Sequence, residues 1–135
     1  MDVIPARVFP VNAEALDEAL RHIETQAAAL GFNRSVQLKL VLVAEELCTN
    51  VLNHAQHAQL MELQLSRDEA GCARLMFADD GPAFNPLQNA EAWQDLAPED
   101  RPVGGLGIVL VQGFCAQVDY SRCGGQNRLD MLMLP

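Results

Sequence analysis

Glu45-Glu46-Leu47-Cys48-Thr49-Asn50 places Glu46 and Asn50 four residues apart, so on a helix their side chains share one face. A carboxylate and a neutral amide oxygen one turn apart can serve a hydroxyl and a divalent cation together. Taken alone, the spacing also describes an ordinary solvated helix surface. Two later stretches sharpen it: the acid-rich turn Asp79-Asp80-Gly81-Pro82-Ala83-Phe84-Asn85-Pro86 and the glycine loop Gly104-Gly105-Leu106-Gly107-Ile108. A helical pair, then an acidic turn, then a glycine-rich helix start is the layout of an ATP site.

Working outward, residues 3–8 form a short apolar run flanked by Pro5 and Pro10, which suits an edge strand. Asn12 is placed to cap a helix whose apolar stripe is Leu16, Leu20, Ile23, Ala27 and Leu30, with Gly31 as its stop. Ser35 is read as the start of a second, longer helix buried along Val36, Leu40, Val43, Leu47 and Val51 and widened by Leu38 and Leu42. Glu46, Asn50 and Asn53 lie on its polar side. Strands are expected at 60–66 and 73–78 around the turn Asp68-Glu69-Ala70-Gly71.

Residues 87–103 carry two prolines, five charges and Trp93 with little sustained apolar periodicity, as expected of either a functional lid or a disordered segment. Residues 104–107 lead into a helix through about Ala116. Strands at 118–121 and 129–134 then close the chain around Gly124-Gly125. The order β-α-α-β-β-lid-α-β-β predicts one domain over 1–135. Its fold class is α/β (α+β): a two-layer sandwich with helices on one face of a mixed, mostly antiparallel sheet.

Composition removes several classes of function. The formal charge is −9, from 18 acidic against 9 basic residues with Lys39 the single lysine. No direct nucleic-acid partner is expected, because gripping phosphodiesters takes clustered Lys and Arg. No apolar run approaches the roughly 18 residues a membrane helix needs, and no basic-then-apolar leader opens the chain. Cys48, Cys72, Cys115 and Cys123 lack metal-site spacing and are read as reduced, mostly buried thiols. A cytoplasmic protein, neither in nor on a membrane, is the expectation.

Each candidate residue has a plain alternative. Gly104, Gly105 and Gly107 before a helix leave free N–H groups facing an anion, yet a tight turn needs the same residues. No lysine follows them, so a Walker-type loop is excluded. Asp79, followed by Gly81 for close backbone approach, could accept from an adenine amino group, but Asp-Asp-Gly-Pro is also common turn chemistry. Asn50 could offer its amide oxygen to Mg²⁺ and Glu46 could take a proton from an attacking hydroxyl; Glu45 is read as a solvated acid. His54 is read as a helix-end or lid contact and His57 as solvated.

The three stretches together resemble the N box and the two G boxes of the ATPase superfamily that includes gyrase and the histidine kinases. More particularly, residues 46–55 resemble the E-x-x-T-N-x-x-x-H-[AG] motif of anti-sigma-factor serine/threonine kinases. Residues 79–86 match that family's D-x-G-x-x-F-[DN]-P, residues 99–108 match its lid end and glycine box, and Gly124-Gly125-Gln126-Asn127-Arg128-Leu129 looks like its last hairpin. The resemblance implies a Bergerat-type ATP-binding fold, with ATP and Mg²⁺ as cofactors. It also implies phosphoryl transfer to a serine or threonine of an anti-sigma-factor antagonist, with a sigma factor as second partner and a homodimer as the assembly. Carried over, Glu46 is the general base, Asn50 the Mg²⁺ ligand and Asp79 the adenine reader. Gly81, Phe84, Gly104, Gly105, Leu106 and Gly107 would surround the nucleotide.

One departure is Asn53, which stands near the phosphates where many superfamily members carry a basic residue; Arg101 is the candidate to supply that charge. No histidine-bearing dimerisation helix precedes the motifs, so autophosphorylation on histidine is not expected. The rival reading is a non-catalytic module that sequesters a partner in a nucleotide-dependent way, since fold alone does not settle function. A gating or chaperone ATPase of the wider superfamily would need further domains.

Overall fold

The computed structural model describes residues 2–55, 57–87 and 105–135. Helices α1 (Ala13–Ala29), α2 (Arg34–His54) and α3 (Gly105–Phe114) pack over a six-stranded sheet. The strands are β1 (Asp2–Val3), β2 (Arg7–Pro10), β3 (Leu60–Arg67), β4 (Ala73–Asp79), β5 (Cys115–Cys123) and β6 (Gln126–Met133). Their order is β1-β3-β4-β6-β5, with β2 also on β3, so β1 and β2 run in series along one edge. Every pairing among the described residues is antiparallel, and the architecture is the expected α+β sandwich. The predicted strand over 3–8 is two short strands instead. Pro5 sits in the gap, where a residue without an N–H cannot continue a ladder.

Asn12 caps α1, its Oδ1 accepting from Ala15 N at 2.7 Å. At the far end Gly31, with φ of +80°, sends its N–H to Ala28 O while Phe32 N–H reaches Ala27 O, closing the helix in a Schellman motif. The buried face is turned one residue from the predicted stripe: Ala15, Ala19, Ile23 and Ala27 are buried, with Leu16, Leu20 and Leu30 flanking them. A row of small side chains lets α1 settle closely against α2, which a row of leucines would hold off.

The cap of α2 is Asn33, whose Oδ1 accepts from Val36 N at 2.9 Å, so the helix starts ahead of Ser35. Val36, Leu40, Val43, Leu47 and Val51 are buried as the spacing predicts. Leu38 is 59% exposed and does not widen that stripe. It stands about 200° around the helix from Val36, away from both layers.

Met61, Leu63 and Leu65 of β3, Leu75 and Phe77 of β4, and Leu129, Met131 and Met133 of β6 alternate onto the helix side and form the core with these residues. Helix α3 ends at Phe114, short of the predicted Ala116, and β5 begins at once with Cys115 buried against Met133. A register shift between Cys115 and Gln117 absorbs Ala116. Gly124 and Gly125 take φ of +57° and +77° in a two-residue hairpin turn that L side chains would strain. All four cysteines are free; Cys48 and Cys115 are buried, Cys72 is half-buried, and Cys123 is exposed beside the hairpin turn. No helix among the described residues is long and apolar enough to cross a membrane.

Candidate functional site

The helix-facing row of β4 ends in a carboxylate. Asp79 follows Leu75 and Phe77 on the core side and is only 8% exposed. Its Oδ1 accepts from Gly81 N–H at 2.9 Å, folding the chain back immediately after the strand. Next to it, Asp80 Oδ1 accepts from Gln59 N–H at 2.7 Å and Leu60 N–H at 3.0 Å, fastening the turn to the start of β3. The Leu60 N–H bond, aided by that of Gln59, holds the Asp80 carboxyl below its usual range. Asn85 Oδ1 takes Leu87 N–H at 2.9 Å, so residues 79–87 are shaped largely by their own short polar side chains.

Gly81 is needed for space. A Cβ there would lie 2.9 Å from Asp79 Oδ1, 3.3 Å from the Ala55 Cβ and 3.4 Å from the Ala58 Cβ. The turn therefore lies directly against the end of α2, and the last turns of that helix face it.

Between them is a cavity of about 400 Å³, within the roughly 300–1,000 Å³ of small-molecule sites. Its walls are mainly apolar, Val51, Phe77, Tyr120 and Ile108 among them, and its polar side chains are Asn50, His54, Asp79, Tyr120 and Asn127. No lysine or arginine lines it among the described residues. Ile108 belongs to the first turn of α3, so the end of that helix whose N–H groups lack intrahelical partners borders the cavity. An apolar slot bounded by a carboxylate, an amide and a helix N-terminus can take a flat base at one side and an anion at the other.

Of the residues singled out in the sequence, Asn50, Asp79 and Phe84 come together on the cavity wall, Phe84 remaining 62% exposed. Gly81 lies behind Asp79. Glu46 is half-buried one turn before Asn50, outside the lining, and Asn53 is exposed and also outside it. Gly105, Leu106 and Gly107 form the start of α3. Arg101, Gly104 and, of the proposed lid over 87–103, all but Leu87 lie outside the described residues. His54 lines the cavity and His57 is solvated. Burial pushes the Cys48 thiol up to about 12, which leaves it to packing. Among the described residues no three His, Cys, Asp or Glu side chains gather as a metal cluster.

Asn127 and Tyr120 are the residues that sequence reasoning missed. Asn127 Oδ1 accepts from Phe84 N–H at 2.9 Å and from the Tyr120 hydroxyl at 2.7 Å. Its Nδ2 donates to Pro82 O at 2.9 Å and to Asp79 Oδ1 at 3.2 Å. Arg122 Nη1 adds a bond to Gly81 O at 2.8 Å, so the β5–β6 hairpin grips the turn through two side chains, with Tyr120 steadying Asn127 from behind. One sign was readable: Asn127 is the polar member of the alternating row 127, 129, 131 and 133, otherwise apolar.

Comparison with known proteins identifies the family and the fold. The profile of the histidine kinase-like ATPase domain matches residues 9–133. The chain is 27% identical over 124 residues to the serine/threonine-protein kinase BtrW of Bordetella bronchiseptica, covering 90% of this chain and 87% of that one. Among solved structures it resembles the RsbU and RsbW domains of a Mycobacterium tuberculosis protein, with a TM-score of 0.66 and 12% identity over 98% of this chain. That match spans 34% of the larger protein's structure. The SiaB–SiaC complex of Pseudomonas aeruginosa gives 0.63 and 11%, covering 98% of this chain and 90% of that one. At these identities the structural likenesses speak for the fold.

Proposed function

We propose, since this chain belongs to the histidine kinase-like ATPase domain family, that it is a cytoplasmic ATP-dependent serine/threonine kinase of the partner-switching kind. Its substrate would be an anti-sigma-factor antagonist and its second partner a sigma factor, with a homodimer as the working assembly. The single observation that carries the reading is the buried Asp79 carboxylate, pinned through one oxygen by Gly81 and Asn127 at the wall of an apolar cavity with Asn50. BtrW, a named serine/threonine kinase related over nearly the whole chain, supports the kinase part.

In this reading Asp79 accepts from the base amino group and the first turn of α3 meets the phosphates. The donor set fits Mg²⁺ rather than a transition metal: the cavity offers the Asn50 amide oxygen and no acidic or thiolate cluster among the described residues, and Mg²⁺ keeps waters and phosphate oxygens as its other ligands. When bound, the cation would neutralise charge on the phosphoryl group. Glu46, one turn behind Asn50, takes the proton of the incoming serine or threonine hydroxyl. Arg101 would bring the positive charge that Asn53 does not, and Arg101→Ala should weaken ATP binding and slow transfer; unchanged values remove it from the site.

The test is incubation with Mg-ATP and the antagonist encoded near this chain, read out as phosphoserine or phosphothreonine. Transfer in the wild type, lost in Glu46→Gln while ATP still binds, is the expected result. Transfer that survives in Glu46→Gln strips that residue of its role. A second reading, nucleotide-dependent partner binding without transfer, draws on one observation: Glu46 does not line the cavity. Intact ATP binding with no transfer to any cognate antagonist would favour it.

A further inference from the structure

Two walls of the cavity come from parts of the chain that share no helix or strand. One is the end of α2, with Asn50, His54 and Ala55; the other is the turn after β4, with Asp79, Pro82 and Phe84. A ligand held by both depends on the gap between them.

Among the described residues, one side chain joins that turn to the chain leaving α2 by hydrogen bonds. Asp80 Oδ1 accepts from Gln59 N–H at 2.7 Å and from Leu60 N–H at 3.0 Å, and Asp80 N–H donates to Leu60 O at 3.3 Å. Gln59 O accepts from Val11 N–H at 3.0 Å, so the stretch that Asp80 holds is also anchored to the chain between β2 and α1. Ala58 N–H donates to Ala55 O at 3.2 Å, which carries the constraint back to the end of α2. Ala55 and Ala58 flank Gly81, where a Cβ would lie 3.3 and 3.4 Å from theirs.

The connection gripped in this way is not one the chain adopts freely. His57 stands at φ +65°, a left-handed conformation that is costly for a residue with a Cβ and persists only where its surroundings enforce it. The enforcing contacts are the Asp80 bonds just after His57 and the packing of Ala55 and Ala58 on Gly81 to either side of it. Held below its usual range by the Leu60 and Gln59 N–H bonds, the Asp80 carboxyl stays an ionised acceptor throughout the neutral range.

We propose that Asp80 is a positioning residue that sets the gap between the end of α2 and the turn after β4, so that a nucleotide reaching both walls depends on it more than a nucleoside does. This rests on the nucleotide-binding reading above and deepens it. In that reading the base meets Asp79 on the turn, while the cation and phosphates meet Asn50 on α2. Mg-ADP therefore spans the gap, whereas adenosine makes no demand on Asn50.

Titration calorimetry with Mg-ADP and with adenosine measures the difference. In Asp80→Ala, Mg-ADP should bind about tenfold more weakly, the loss of roughly one charged hydrogen bond, while adenosine changes by less than about twofold. Charge alone predicts the opposite sign, because taking a negative charge from a protein at −9 favours an anionic ligand. Asp80→Asn removes the same charge but keeps an oxygen for both N–H groups, so it should restore the wild-type ratio of the two affinities. Should Asp80→Ala fail to fold, Asp80→Ser serves: its single, shorter hydroxyl cannot hold both N–H groups, and the ratio should fall several-fold.

A role confined to stability would lower the unfolding midpoint of Asp80→Ala without moving that ratio. A wild type that binds both ligands, with Asp80→Ala at the wild-type ratio or Asp80→Asn as impaired as Asp80→Ala, overturns this inference alone. A wild type that binds neither ligand overturns the functional reading, and this inference with it.

Discussion

Gly81 shows how little tolerance the turn after β4 has. Its missing Cβ leaves Asp79 Oδ1 room to receive the Gly81 N–H and lets the end of α2 come within van der Waals reach. Gly81→Ala places a methyl 2.9 Å from that oxygen and 3.3 Å from Ala55, where neither neighbour is the free end of a flexible chain. Overpacking of this kind costs about 1–3 kcal/mol. The expected result is a denaturation midpoint lowered accordingly, together with weaker nucleotide binding, because Asp79 must rotate to make room. A variant with wild-type midpoint and wild-type ADP affinity would show that the turn is looser than its distances imply. Cys48, by contrast, sits fully buried near the cavity with its thiol pushed up to about 12, and it should resist thiol reagents until the fold opens.

Helix ends and helix faces show what a one-dimensional pattern carries and what it leaves out. Helix α3 was expected from the glycine loop that leads into it, whereas the existence of α1 and α2 followed from apolar spacing, as did the buried row of α2. The start of α2 did not, because Asn33 and Ser35 are both good caps and only the backbone decides between them. Asn33 is extended, at φ −69° and ψ 167°, and holds Val36 N–H; Ser35 is already inside the first turn. Asn33→Ala should therefore cost about 1 kcal/mol and Ser35→Ala only a few tenths, both read from urea midpoints. Equal losses would contradict the assigned cap. The face of α1 turned by one residue for a related reason: alanines count as weakly apolar in a sequence, yet a helix–helix seam prefers them for closeness.

Docking of α1 also has a pH signature. His22, with its ring 5.8 Å from that of Phe9, has its pKa held below the usual value by burial first and by Arg7 second. A lowered folded-state value means that the native state prefers the neutral ring. Its contribution is present above pH 6.5 and is lost as pH falls through the lowered value. His22→Gln should flatten the stability–pH curve below 6.5, and an unchanged slope there would remove His22 as a cause.

At the scale of the molecule, the cavity is assembled from pieces distant in the chain: the last turns of α2, the end of β4, the start of α3 and the β5–β6 hairpin. Motif spacing could point to Asp79 and Asn50 because each lies in a local pattern. It could not join Asp79 to Asn127, which lies 48 residues away, because that neighbourhood is a consequence of strand register. The same assembly predicts how ligands should act on the whole fold. A nucleotide bridging these elements binds the native state and not the unfolded chain, so saturation to about 100 times Kd adds about 2.7 kcal/mol of stability, or several degrees of Tm. The net charge of −9 and the lack of a lysine or arginine on the described cavity wall set the terms for the phosphates. Without a cation, the triphosphate meets an acidic protein; with Mg²⁺, the Asn50 amide and the start of α3 have a partly neutralised ligand to hold. Chelating Mg²⁺ should therefore abolish most of the Tm rise produced by ATP while leaving that produced by adenosine, whose base needs only Asp79 and the apolar walls. Differential scanning fluorimetry with the two ligands, with and without chelator, reads this contrast in one experiment. Equal losses for adenosine and ATP would place the cation at the base side of the cavity, and a Tm indifferent to both would remove the nucleotide from this cavity altogether.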